Sequence, residues 1–286
     1  VLKFQANIIL SVIKIGLFVQ LFVVSCCNAL ALEESDRLVK IDTASDKKAG
    51  RIFLTVTNIM ESTIHLYFEK LENAQTSQPV PYDFVIDAPC TNKTILEVKQ
   101  KADAPWFYAF NYNYAYGLPS DLPTEDYIYS LPYDASEHFG CSQGPGGKFS
   151  HAMGSDEEHA VDFGMPSGTR VLASRAGKVI AFRDDSKVGG GSKKFKQREN
   201  FVIIKHDDGT YAAYVHLQHR GVFVKLGQEV SVGTPLGLSG STGYATKPHL
   251  HFEVYRVKSG KSVPSLPFRM RTPRGIVTQM KEGEMY

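Results

Sequence analysis

The stretch His249-Leu250-His251-Phe252-Glu253-Val254-Tyr255 alternates polar and apolar side chains with a period of two up to its closing tyrosine. Successive side chains of a β-strand point to opposite faces, so the pattern predicts a strand with both imidazoles on one face and Leu250, Phe252 and Val254 packed on the other. Two imidazoles side by side on a rigid strand suit metal binding or proton transfer. Taken alone, the pair also reads as an ordinary surface pair, and its neighbours in sequence must decide.

Those neighbours supply further ligand types. Tyr214-Val215-His216-Leu217 has the same alternation, which predicts Tyr214 and His216 on one face and offers a third imidazole. Asp162 lies between Ala160-Val161 and Phe163-Gly164-Met165-Pro166; a carboxylate buried there without a partner would be costly, and a metal would neutralise it. Seven of the nine histidines (151, 159, 206, 216, 219, 249 and 251) fall in this one region. Three protein ligands of the His/Asp type with a fourth position left to water is the pattern of a hydrolytic zinc site. The helical His-Glu-x-x-His box and the phosphate-cradling Gly-x-x-x-x-Gly-Lys loop are absent from the sequence.

Around this centre the chain reads as all-β. Thr169 to Ala173, Gly177 to Phe182, Phe201 to Lys205, Tyr211 to Leu217 and Val222 to Val224 are strand-like runs separated by glycines and Asp-Gly pairs, which predicts an antiparallel sheet. Between the second and third of these, Asp184 to Asn200 carries three consecutive glycines and five basic residues. Its plain reading is a solvated hairpin loop, and its sharper one a basic rim that meets an anionic polymer or closes over a substrate. His206 before Asp207-Asp208-Gly209 reads as a turn or surface residue, and His65, His138 and His219 as structural or solvated.

Further upstream, Arg51 to Phe68 is a pair of β-branched and aromatic runs broken at Asn58-Ile59-Met60-Glu61-Ser62, continued by Phe84 to Ile86 and Thr94 to Val98. Strand signals at this spacing predict a small immunoglobulin-like β-sandwich. Aromatics alternate from Trp106 to Tyr116, as strand packing or a carbohydrate-stacking face would require. The proline-rich segment after Gly117 suits a boundary, giving an N-terminal β domain at 32–127, a second domain at 128–258 and a C-terminal extension at 259–286 that wraps back on it.

The first thirty-one residues carry only Lys3 and Lys14, an apolar run from Ile15 to Val24 and a small-x-small Ala29-Leu30-Ala31, the pattern of an export signal. Val23-Val24-Ser25-Cys26 also offers a loose lipidation site, and a retained anchor is the third option. All three place the rest of the chain outside the cytoplasm, with membrane attachment through this segment as an option. Behind a cleaved signal the thiols left are Cys90 and Cys141, which either pair or stay free. The 286 residues, with net charge +2, 43% hydrophobic and 22% charged side chains, describe an ordinary globular protein and give no bulk electrostatic reason for a nucleic-acid partner.

Four motifs in order carry a family resemblance: Phe149-Ser150-His151 with Ala160 to Thr169, then Asn200 to His206, then Tyr214 to Leu217, then Gly240-Ser241-Thr242-Gly243 with Pro248 to Phe252. Together they resemble the lysostaphin/LytM-type zinc metallopeptidases over about residues 128 to 258. The resemblance implies an antiparallel β zinc peptidase domain and hydrolysis of peptide cross-links in bacterial peptidoglycan by a zinc-activated water. It implies His151, Asp162 and His251 as zinc ligands, with His216 and His249 as catalytic histidines that do not bind the metal. One position departs from the commonest family pattern, which has its first ligand histidine four residues before the aspartate, where this chain has Glu158. His151 takes that role by likeness to a subgroup with a longer intervening loop, leaving His159 as the competing choice. The alternative function is a non-catalytic wall-binding or partner-activating module that uses the same groove.

Overall fold

The computed structural model describes residues 4–15, 18–24, 39–46, 51–58, 63–72, 74–79, 82–87, 89–100, 107–120, 126–196, 198–258 and 264–286. Among the described residues strands dominate, with one 3-10 turn at Lys193–Phe195, and the fold class is all-β. Two units separate at residue 119: residues 3–118 form one, and residues 119–258 with 262–286 form the other. Among the described residues no helix is long and apolar enough to cross a membrane.

The first unit holds two antiparallel sheets. In one, Val39–Asp46, Arg51–Asn58, Cys90–Gln100 and Ala74–Thr76 lie side by side; in the other, Ile64–Glu72 is flanked by Tyr82–Ile86 and Phe107–Tyr116. Arg51–Asn58 and Ile64–Glu72 therefore sit in different sheets, and residues 59–62 of the polar break between them lie outside the described residues. Of the apolar run read as an export signal, Ile15 closes Phe4–Ile15 and the described remainder forms Phe18–Val24, two strands that pair with each other, the first also pairing with Phe107–Tyr116. Tyr114 and Tyr116 are buried, which is the packing role for these two aromatics; Trp106 lies outside the described residues.

The second unit is organised by a seven-stranded antiparallel sheet in the order Gly140–Gln143, Val161–Gly164, Leu250–Tyr255, Tyr211–Val215, Phe201–Lys205, Gly177–Arg183, Glu229–Val230. Alternation works as the residue types demand. Leu250, Phe252, Val254, Val161, Phe163, Ala212 and Tyr214 enter one continuous core, while Asp162 and His251, directly paired across adjacent strands, point to the other face. A core phenylalanine such as Phe252, with no exposed surface, contributes roughly 1.5–3 kcal/mol by burial. The C-terminal segment is part of this core: Met270, Met280 and Tyr286 are buried in it, and Arg269–Thr272 pairs in parallel with Ile128–Ser130. Cys141, also in the core, and Cys90 are both free thiols.

His206 is not a surface residue. It lies 1% exposed beneath its turn with Nδ1 donating to the Ala176 carbonyl at 2.7 Å. The same turn buries an ion pair, Arg175 Nη1 to Asp208 Oδ2 at 2.8 Å, and the guanidinium covers the Tyr127 ring. Burial alone would raise the Asp208 carboxyl, but hydrogen bonds from Thr210 and Arg175 outweigh it and hold it down at about 2. Breaking a buried pair leaves an uncompensated charge, so Asp208→Ala is expected to cost about 3–5 kcal/mol, read as a lowered urea midpoint at neutral pH. Because the folded value is depressed, this stabilisation is present above the unfolded value near 4 and is lost as pH falls through about 2. An unchanged midpoint would show that the pair contributes nothing.

Candidate active site

Asp162, His251 and His151 meet on the face of the sheet opposite the core. Asp162 and His251 are set by strand pairing, with Asp162 Oδ1 at 3.0 Å from His251 Nδ1. His151 comes from the loop after Gly140–Gln143 and is fully buried; its Nε2 stands 3.3 Å from His251 Nδ1 and 3.4 Å from Asp162 Oδ1. The three atoms thus form a triangle with edges of 3.0, 3.3 and 3.4 Å. Donors held about 2.0–2.1 Å from a tetrahedral zinc ion stand about 3.3 Å apart, so the triangle has the size of one face of such a site. The other side of two of the donor groups is held in place: His151 Nδ1 faces the Gly144 carbonyl at 3.3 Å, and Gln143 Nε2 donates to Asp162 Oδ2 at 3.0 Å. Burial by itself would raise the Asp162 carboxyl, but the hydrogen bonds from His151 and His251 hold it well below the usual carboxylate range. His159, the competing choice for the first ligand, is elsewhere. It lies beside Val161, whose side chain enters the core, and with Pro145, Phe268, Met270 and Met280 it lines a pocket of about 270 Å³.

His216 and His249 adjoin this triangle, their ring centroids 4.5 Å apart, with His216 6.1 Å from the His251 ring. The expectation that Tyr214 and His216 share a face is not met. Tyr214 packs in the core against Phe252, its hydroxyl accepting from the Ser174 amide, whereas His216 points to the site. The cause is local: His216 has a left-handed φ of 66°, which ends Tyr211–Val215 and turns the next side chain across the sheet. Such a backbone costs a non-glycine residue roughly 1–2 kcal/mol, and the surroundings hold it there. His216 Nδ1 donates to the Thr242 carbonyl at 2.7 Å, and Thr242 Oγ1 both accepts from the Asn200 amide and donates to the Leu217 carbonyl. His249 Nδ1 likewise donates to the Lys247 carbonyl at 2.8 Å. Carbonyls only accept, so in both rings Nδ1 carries a proton and Nε2 is the nitrogen left open to exchange one. Burial, reinforced by His249 and His251, pushes His216 down to about 3, which keeps it neutral across the working range of pH.

Gln143 escaped sequence reasoning. A β-bulge between Cys141 and Gln143 brings it opposite Asp162, where its Nε2 also reaches Ser150 Oγ at 3.1 Å and its Oε1 accepts from the Phe149 amide at 3.0 Å. One side chain therefore ties the Asp162 carboxylate to the loop that carries His151. No periodicity marks such a residue, and the signal that could have found it is its place just ahead of a glycine-rich loop.

A buried His/Asp/His group able to hold one metal ion, flanked by two further histidines on an antiparallel sheet, agrees with what a comparison of the sequence with family models finds: residues 156–264 match Peptidase family M23. The chain carries a peptidase family M23 domain. Asp162, His216, His249 and His251 all lie inside the matched M23 stretch, and His151 lies just ahead of it. The M23 domain has curated relatives of similar sequence. One is the peptidoglycan DD-endopeptidase ShyA of Vibrio cholerae, 40% identical over 96 residues, which are 34% of this chain and 20% of that protein. Lysostaphin of Staphylococcus simulans is 40% identical over 96 residues, covering 33% of this chain and 17% of the relative. The glycyl-glycine endopeptidase ALE-1 of Staphylococcus capitis is 35% identical over 108 residues, covering 37% and 27%. The match thus spans about a quarter or less of each relative, and residues outside the M23 domain make up most of this chain.

Proposed function

We propose that this protein is a zinc metalloendopeptidase of the cell envelope that hydrolyses peptide cross-links of bacterial peptidoglycan. The observation that carries the reading is the triangle of His151, Asp162 and His251 beside the His216–His249 pair, within or next to the M23 match. His151 Nε2, Asp162 Oδ1 and His251 Nδ1 are assigned as the metal donors. Zinc held there would polarise a scissile carbonyl and lower the pKa of a water. The chain's own contribution is proton handling. With Nδ1 of both rings tied to carbonyls, Nε2 of His216 or His249 accepts the proton released by the attacking water and passes it to the departing amine; the protonated ring can also donate to the tetrahedral oxyanion.

The substrate class follows from the relatives, which are a DD-endopeptidase and a glycyl-glycine endopeptidase; different peptide bonds are named, and the wall peptide is the class proposed for this chain. Such a substrate goes with an extracytoplasmic location, residues 1–31 acting as export segment or lipid-bearing anchor. The test is mass spectrometry of purified peptidoglycan incubated with the zinc-loaded chain and with its His216→Ala variant. New free amines on cross-linked peptides with the first only are expected. Intact cross-links with both, at one zinc per chain, would favour the non-catalytic wall-binding module instead.

A further inference from the structure

The segment from Ser186 to Arg198 carries Lys187, Lys193, Lys194, Lys196 and Arg198 and no acidic residue, in a protein whose overall charge is only +2. Contacts made by its glycines and by Ser186 hold it in place. Asn200 clamps the Ser186 peptide from both sides, Oδ1 accepting from its amide and Nδ2 donating to its carbonyl, each at 2.9 Å. Gly190 donates to the Gly243 carbonyl at 3.0 Å, and Gly243 donates back to Val188 at 2.9 Å. The glycines are needed here: a Cβ on Gly189 would collide with the Ser241 carbonyl, and one on Gly191 would press on Thr246. The loop therefore leans on residues 241–246, the segment whose Thr242 carbonyl holds His216 and which leads into His249.

Lys187, Lys193, Lys194 and Lys196 are all exposed, and none has a carboxylate within ion-pair distance among the described residues. Four exposed positive charges on a loop whose Gly190 bonds to Gly243, the residue after the Thr242 anchor of a proposed catalytic histidine, raise the local concentration of anions around that loop. The positive field is local: at physiological salt it fades within about 8 Å, so it acts on groups presented at the cleft rather than on a distant polymer.

We propose that this loop is a substrate-recognition rim that binds free carboxylates on the cross-linked wall peptides as they lie over the His216–His249 side of the cleft. The inference rests on the peptidase reading and deepens it. It is tested with the full zinc-loaded chain and a variant carrying Lys187→Gln, Lys193→Gln, Lys194→Gln and Lys196→Gln, on one soluble cross-linked wall peptide with free carboxylates and on the same peptide amidated. The wild type is expected to show about tenfold lower KM for the free-carboxylate form at low salt, an advantage that shrinks as salt rises. In the variant, KM for the two forms converges, with similar kcat and zinc content. Equal KM for the two forms with the wild type, or a preference that survives in the variant, overturns the rim. So does lysine-dependent retention on anionic phospholipid vesicles without carboxylate preference, which would make the loop a membrane contact. Failure of the wild type to cut either form sinks the peptidase reading itself, and the rim with it.

Discussion

His216→Ala is expected to lose peptide-bond hydrolysis by about 10²–10⁴-fold while keeping one zinc per chain. The ring is not one of the three groups that form the donor triangle, so metal binding does not depend on it. It stands 4.5 Å from the His249 ring with Nδ1 fixed on Thr242, which leaves Nε2 as its open ring nitrogen. Alanine keeps the left-handed backbone at this position and its strain. A His216→Asn variant guards against a mere folding defect, because asparagine tolerates that conformation better than most residues. Zinc content and turnover measured on both variants decide the matter. Wild-type turnover in either one, at normal zinc content, would remove His216 from the chemistry.

The second large effect concerns the metal itself. Asp162→Ala and His251→Ala each delete one corner of a triangle only 3.0–3.4 Å on edge, and both are expected to leave dialysed protein without stoichiometric zinc. Gln143→Leu should fall between these and the wild type. It removes the hydrogen bond to Asp162 Oδ2 and the two contacts that hold the His151 loop, and loss of such outer partners typically weakens metal binding 10–100-fold. Competition against a chromophoric chelator would rank the four proteins. Full zinc occupancy in Asp162→Ala, or wild-type affinity in Gln143→Leu, would break the assignment.

The strand through His251 was legible because its two faces have different chemistry: Leu250, Phe252 and Val254 are core, and His251 is not. Phe201–Lys205 was legible for a related reason, a β-branched run closed by an Asp-Gly turn. His216 was found for the wrong reason. Strict alternation would have put it in the core with Tyr214, and only a backbone torsion, which leaves no mark in residue type, sends it to the site. Short strands such as Gly140–Gln143 and Pro235–Ser239 were missed since glycine, proline and serine carry turn signals, and their pairing is imposed by neighbours in the sheet. The contribution of Met270, Met280 and Tyr286 to the core was equally hidden, for long-range packing has no local period.

The left-handed residue at position 216 also works as a change of phase. Up to Val215 the strand counts in twos, odd and even positions serving opposite faces; one residue later the count is reset, and a position whose parity belongs to the core is delivered to the cleft. Inserting or deleting one residue between Tyr211 and Val215 would exchange the two faces of the strand, while a substitution would leave the parity intact. Anyone transplanting this site to another sheet must therefore carry over the torsion at 216 along with the histidine, or the ring will arrive on the wrong side.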